Sequence, residues 1–315
     1  MLKRFVFLVL AILLICVMAA CGSSTTSQEQ PSGAKTNEKM TIKHELGTAK
    51  VMKKPKTIVS FDFGTTDTLD ALGIDIKALP KKTIPSYLSK YQDNNFVNVG
   101  DMFEPDFEKI HELKPDVIFI SGRTAEAYKQ LNDIAPTVNM SINTKHYMDS
   151  FTKNAQTIGQ LFNKEDAVNQ QLEGINQSIQ RLKEKTKGQT ALFIISTGGK
   201  ISAFGSGSRY GLLYDVFGFE PIDKHLKAST HGQKISFEYI AQKDPDYLFV
   251  LDRDQAIQEK HAKPAKEVVE NGLVKKAKAY KNHHIVYVKP DVWYLSGGGL
   301  ASMQAMIKDV EESIE

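Results

Sequence analysis

Short, uniformly apolar runs alternate along the chain with helical patterns and polar turns, and two of those runs sit in matching surroundings. VIFI at 117–120 and YLFVL at 247–251 are too short for ordinary helices and too continuously apolar for half-exposed strands. They read as central strands of parallel sheets, covered on both faces. Each follows a short helical pattern and a Pro-Asp turn, since Pro115 and Pro245 lack an N–H and cannot continue the preceding helix. An arginine stands just past each strand. The 17-residue segments 107–123 and 237–253 align without a gap at a shift of 130. They agree at Phe107/Phe237, Glu108/Glu238, Ile110/Ile240, Pro115/Pro245, Asp116/Asp246, Phe119/Phe249 and Arg123/Arg253. Such a duplicated helix-turn-strand-arginine unit predicts two lobes of like construction.

The rest of the pattern fills in around that pair. TIKHELGTAKV predicts a strand pair, TIVSFDF a strand, and TTDTLDALGI a helix with Leu69 and Leu72 three apart and Gly73 as its stop. IKALP and PTVNM predict further strands. Residues 148–187 are helical in pattern, with a soft spot at 159–163. Within them Ala167, Leu172, Ile175, Ile179 and Leu182 fall on one stripe. A helix of about 22 residues spans roughly 33 Å and would resist large hinge closure. Beyond it, TALFIIS predicts a buried strand, and FGSGSRYGLLYDVFGF echoes FGTTDTLDALGI in running from Phe-Gly through a polar loop into an apolar helix. HHIVYV predicts a strand, and a closing helix carries Leu300, Met303, Ile307, Val310 and Ile314 at core spacing. The expected fold is α/β, with two Rossmann-like lobes (40–147 and 188–315) built on central parallel sheets. One long backbone helix within 148–187 joins them, and a ligand cleft lies between.

Charge at the amino terminus adds a compartment. Lys3 and Arg4, an apolar run over 5–18, then Ala19, Ala20 and Cys21 have the order of a secretory signal ending in a lipobox, with Met18 where that motif prefers Leu. Residues 1–20 read as the signal peptide, Cys21 as the lipidated first residue, and 21–39 as a flexible tether too poor in apolar side chains to fold. The only other cysteine, Cys16, lies in the removed segment, so the mature chain can form no internal disulfide. Losing Lys3 and Arg4 takes the formal charge from +3 to +1. That balance argues against nucleic acid, and any attraction for anions must be local.

In open α/β sheets ligands bind outside the carboxyl ends of the strands. Arg123 and Arg253 are therefore aimed at one cleft. Arg209 joins them from a Gly/Ser loop that, opening a helix, reads as an anion cradle. Lys81 and Lys82 end a strand and belong either to the cleft rim or to a solvated loop. Trp293 and Tyr294 precede three glycines, and Trp293 is either a core aromatic or a flat ligand platform. His231 is a loop hydrogen-bonder or a ligand contact. Forked guanidinium donors and aromatic faces suit a bulky planar anion. No Gly-x-Ser-x-Gly elbow, His-Glu-x-x-His, cysteine nucleophile or dinucleotide fingerprint is present, and GSGSRYG lacks the Gly-Lys-Ser/Thr of a P-loop. An anchored enzyme acting on anionic substrates through that loop is the remaining catalytic alternative, and the expectation is a non-enzyme.

The lipobox, the paired FE…PD…strand…Arg segments, the connecting helix and the YLSGGG ending resemble the helical-backbone class of ABC-transporter solute-binding proteins for ferric siderophores, cobalamin and haem. ALPKKTIPSYL, ISGR, GSGSRYG, HGQKISFEYI and DVWYLSGGG are similar to the petrobactin-binding lipoproteins of Gram-positive bacteria. The resemblance covers residues 40–315. It implies a monomer, lipid-anchored on the outer face of the cell membrane, holding an anionic ferric siderophore between its lobes. Arg123, Arg209 and Arg253 would meet the anionic centre, with Lys82, Trp293, Tyr294 and His231 nearby. Iron would be chelated by the siderophore, with no protein metal ligand and no cofactor. Glu108 and Glu238 would dock the lobes onto the permease of an importer driven by ATPase subunits. Haem or cobalamin is the alternative ligand in the same fold, with Tyr294 or His231 as an axial ligand for haem.

Overall fold

The computed structural model describes residues 38–314. The signal segment, Cys16, Cys21 and the tether as far as 37 lie outside the described residues. Antiparallel strands β1 (Lys39–His44) and β2 (Gly47–Met52) form the first hairpin, with His44 opposite Gly47.

The N-terminal lobe is a five-stranded sheet of β3 (Ile58–Ser60), β4 (Ala78–Leu79), β5 (Val97–Asn98), β6 (Val117–Ile120) and β7 (Thr137–Asn139), in the order β5-β4-β3-β6-β7. Every pair in it is parallel. All four residues of β6 are buried, the consequence of helices on both faces of a parallel sheet.

The C-terminal lobe holds β8 (Thr190–Thr197), β9 (Lys200–Phe204), β10 (Glu220–Pro221), β11 (Gln233–Ile235), β12 (Tyr247–Asp252) and β13 (Ile285–Tyr287). Its order is β11-β9-β8-β12-β13, with β10 also beside β8. Here the sheet is mixed rather than parallel throughout. Strands β8, β10, β12 and β13 run parallel, but β9 and β11 are antiparallel to their neighbours. Gly198 and Gly199 both have positive φ (53° and 75°), the requirement of a two-residue hairpin turn, and they fold β9 straight back on β8. The Phe-Gly echo is therefore not a structural repeat, because Phe63 begins a helix after β3 whereas Phe204 ends the antiparallel β9.

The 17-residue repeat is structural. Helices Phe107–Leu113 and Phe237–Lys243 are capped by Asp106 and Ser236, and each ends on a left-handed residue, Lys114 or Asp244, both at φ 49°. The aspartate of each Pro-Asp turn then latches the neighbouring central strand. Asp116 accepts the backbone N–H groups of Lys56 and Thr57, each at 2.8 Å. Asp246 accepts the N–H of Thr190 at 3.0 Å and its hydroxyl at 2.6 Å. One side chain thus sets where β3 starts beside β6, and its counterpart where β8 starts beside β12.

The segment between the lobes holds two helices, Tyr147–Phe162, bonded back to the N-terminal lobe through Lys153, Asn154 and Leu161, and Glu165–Thr186, the expected backbone helix of 22 residues. The break is Asn163, left-handed at φ 56°, whose N–H returns to Gly159 O. A Cβ on Gly159 would stand 3.1 Å from Val168 Cγ2, so the two helices pack closely at that corner. Val168, Leu172, Ile175, Ile179 and Leu182 are buried, Val168 taking the deep place expected of Ala167.

The last helix, Leu300–Glu311, carries a core stripe of Leu300, Met303, Ile307 and Val310. Its amino end is seated on the N-terminal lobe's helix Phe63–Ala71. Leu300 N donates to Thr68 Oγ1 at 3.2 Å, while Ala301 N and Ser302 N donate to Asp67, each at 2.7 Å. Gly64 admits this approach, since a Cβ there would lie 3.0 Å from Ser296 O.

Candidate functional site

Three arginines leave three strand ends and meet at one residue. Arg123 lies in the short helical turn Gly122–Ala127 after β6, and Arg253 opens the turn Arg253–Ala256 after β12. Arg209 sits on the loop that follows β9. Their common target is Tyr294, in the five-residue π-turn Val292–Ser296. Nη2 of Arg123 and Nη2 of Arg209 both donate to the Tyr294 carbonyl, at 2.6 and 2.7 Å. Nε of Arg253 donates to its hydroxyl at 3.0 Å. All three guanidinium carbons also stand by the phenol ring, at 5.2, 4.5 and 5.6 Å from its centroid for Arg123, Arg209 and Arg253.

The π-turn makes this possible. Gly299 N, which could otherwise close a bond onto Tyr294 O, donates instead to Ser302 Oγ at 3.1 Å, leaving a carbonyl with two lone pairs to two guanidinium groups. Three like charges in one place repel, and the oxygen and ring offset that repulsion. Burial, and then the neighbouring Arg209 charge, lower the basicity of Arg123 below the usual arginine value. Desolvation pushes the Tyr294 phenol up, but the Arg253 hydrogen bond and the charges of Arg209, Arg253 and Arg123 outweigh it and hold the phenol below the ordinary tyrosine range. The arrangement favours negative oxygen. A guanidinium has five N–H donors, and one bond to Tyr294 uses one of them. Half-buried donors of this kind suit a chelate bearing carboxylate or catecholate oxygens.

Trp293, Lys82 and His231 are not hydrogen-bonded into the Tyr294 cluster. Trp293 is not a platform, being 3 % exposed and packed by Phe193 and Phe217, with its indole N–H on Asp309 Oδ2 at 3.0 Å. Neighbours in a π-turn face different sides, so Tyr294 meets the arginines and Trp293 the core. Lys82 is exposed and pairs with Asp101 at 3.1 Å, while Lys81 Nζ turns back to the carbonyls of Gln92 and Asp93. His231 is exposed on the stretch whose Ser229 O receives Arg209 N at 3.4 Å. The Gly/Ser loop is no open anion cradle, because Asp215 fills it by accepting Gly207 N at 2.7 Å and the Ser206 hydroxyl. The loop serves to present Arg209. Glu108 and Glu238 stand exposed on the first turns of the two repeat helices.

Sequence reasoning missed the seam that holds the π-turn. Asp291 Oδ2 accepts the Ser86 N–H at 2.7 Å and its hydroxyl at 2.6 Å, and Tyr87 OH donates to Asp67 at 3.0 Å. An aspartate on the helix TTDTLDA, flanked by positions that are buried, was the available signal for Asp67.

Two sheets joined by a stiff helical pair, with strand-end side chains converging between them, define a binding protein of the two-lobed α/β class. The chain belongs to the periplasmic binding protein family, whose model matches residues 58–292. It is 48% identical over 320 residues to the petrobactin-binding protein YclQ of Bacillus subtilis (strain 168), covering 99% of each chain. The crystal structure of YclQ superposes with a TM-score of 0.86 at 50% identity, over 88% of this chain and 99% of that one. The catecholate-siderophore binding protein VctP of Vibrio cholerae superposes with a TM-score of 0.83 at 34% identity, over 87% of this chain and all (100%) of that one.

Proposed function

We propose that this chain is the lipid-anchored, extracytoplasmic binding component of an ABC importer that captures an anionic ferric siderophore of the petrobactin type, combining catecholate and citrate oxygens, and hands it to a permease. The observation that carries the reading is the meeting of Arg123, Arg209 and Arg253 at Tyr294, drawn from both lobes. The names of the relatives above supply the ligand class. Such a ligand brings its own chelating oxygens, so the protein's task is to recognise a charged, planar surface and release it intact. Lipid on Cys21 would hold the protein at the membrane, and Glu108 and Glu238, one on each lobe, would engage a permease and its ATPase subunits.

The test is a titration of the purified protein, followed by quenching of its single tryptophan, with ferric petrobactin, a ferric hydroxamate siderophore and haem in parallel. Saturable binding of ferric petrobactin, weakened at least tenfold by Arg209→Ala and by Arg253→Ala, is expected from the loss of one charge-assisted hydrogen bond of about 1.5–3 kcal/mol. Binding of haem or the hydroxamate alone would refute the ligand assignment. Normal iron uptake by cells carrying Glu108→Ala together with Glu238→Ala, at unchanged protein level, would refute the docking roles.

A further inference from the structure

The loop after β5 displays a phenylalanine that no interaction described so far uses. Phe103 is 69% exposed, the most exposed large apolar side chain among the described residues, and its ring meets no other aromatic ring there. An isolated exposed apolar residue is ordinary. The rigidity beneath this one is not. Gly100 (φ 100°) bridges to Pro105, and a Cβ on it would fall 2.5 Å from Glu104 O. Asp101 N donates to Glu104 O at 3.0 Å, and the Asp101 carboxylate accepts Phe103 N at 2.9 Å. Met102, one residue before, is 6% exposed. The backbone therefore holds Phe103 outward by a closed set of bonds.

Those bonds also place it. The other oxygen of Asp101 takes Lys82 Nζ, from the loop after β4, at 3.1 Å. Met102 O accepts the hydroxyl of Thr124 at 2.6 Å, and Thr124 is the fully buried neighbour of Arg123 after β6. The loops at the carboxyl ends of three parallel strands of this sheet, β5, β4 and β6, are thus stitched together across the end of β3, on the edge where α/β sheets take ligands. Asp101 and Asp106 are each paired with a lysine, Lys82 or Lys109, which reduces their repulsion of an anion.

We propose that Phe103 is an aryl-recognising wall of the site, stacking on an aromatic ring of the ferric chelate while the arginines take its oxygens, and so selecting aryl-bearing chelates over aliphatic ones. This rests on the proposed function and names a specificity residue for it. Offset or edge-to-face contact with a catechol ring, together with the apolar area covered, gives about a tenfold gain in affinity.

Ferric petrobactin is titrated into the full chain in mild detergent, as wild type and as Phe103→Ala, Phe103→Leu, Phe103→Tyr and Phe103→Trp. The expected result is about tenfold weaker binding by the Ala variant, only partial recovery by Leu, and binding within about twofold of wild type by the Tyr and Trp variants. Unchanged affinity of Phe103→Ala overturns the inference alone, and so does full rescue by Leu, which would mark simple apolar cover. Failure of the wild type to bind ferric petrobactin overturns both the inference and the function beneath it. Loss of cellular uptake by Phe103→Ala with undiminished binding would overturn it too, by assigning the ring to the permease contact.

Discussion

Asp67 is the residue whose removal should loosen the joint between the lobes, and the structure sets both the size and the pH dependence of the effect. Its carboxylate is 1% exposed and accepts the N–H groups of Ala301 and Ser302, which are first-turn donors of the last helix with no partner inside it. Asp67→Ala strands both donors in a buried site at about 1–3 kcal/mol each, and removes a negative charge from the positive end of a helix dipole. A loss of about 3–5 kcal/mol is expected at pH 7. Burial works in the opposite direction, lifting the carboxyl to about 6 against the hydrogen bonds from Ser302, Ala301 and Tyr87. Between the ordinary value near 3.8 and about 6, the folded protein holds a proton that the unfolded chain has released. Stability from this group therefore falls as pH rises through that window and is flat above it. Going from pH 7 to pH 5 should stabilise the wild type by about 1.4 kcal/mol relative to Asp67→Asn, which has no proton to take up. Urea unfolding of wild type, Asp67→Asn and Asp67→Ala at the two pH values measures this directly. An Asp67→Ala loss below about 1 kcal/mol, or a wild-type to Asn difference that is the same at both pH values, would refute the reasoning.

Three further outcomes follow from the same contacts. Asp246→Ala should destabilise by about 2–3 kcal/mol and Asp116→Ala by about 1–2, because the Thr190 bonds are part-buried whereas those from Lys56 and Thr57 to Asp116 are exposed, and equal losses in chemical unfolding would contradict the latch. In a spectrophotometric pH titration, Tyr294 should ionise ahead of the buried phenols Tyr147, Tyr210 and Tyr214, since its guanidinium neighbours lower it while burial raises them. That step should vanish in Tyr294→Phe and move upward in Arg253→Ala, and its survival in the Phe variant would rule the assignment out. The radius of gyration by small-angle scattering should change little on addition of ferric petrobactin, because the joint is bonded into both lobes, and a contraction like that of a hinged clamp would count against this.

Local signals carried much of the fold. The paired Pro-Asp turns announced both central strands because proline acts on the backbone next to it, and the 22-residue helix showed its stripe because periodicity is also local. A two-residue Gly-Gly turn between TALFIIST and KISAF was visible as well, and reading it would have given the antiparallel β9. Arg123 and Arg253 were legible because the carboxyl ends of parallel strands in such sheets point one way, whereas Arg209 follows the antiparallel β9 and was marked only by its Gly/Ser loop. The split between Trp293 and Tyr294 was not, since a π-turn shifts the side-chain register by an amount that neither helix nor strand periodicity encodes. Nor was the seam. Asp67 and Ser302 are 235 positions apart in the chain, and nothing in either neighbourhood names the other.

What the seam explains is how the arginines can be grouped before any ligand charge arrives to balance them. Arg123 comes from one lobe and Arg209 from the other, yet both bond the same carbonyl oxygen. The chain around that oxygen is fixed to the N-terminal lobe by Ser86 on Asp291 and by Asp67 on the helix start, and to the C-terminal lobe through Trp293 on Phe193 and Phe217. The guanidinium groups are thus ordered by a chain segment that neither lobe can move alone. A site assembled in this way spends little ordering entropy on its own side chains when an anion enters. On the proposed function, capture would be a local exchange of hydrogen-bond donors around Tyr294, with the two lobes needing only to hold still while it happens.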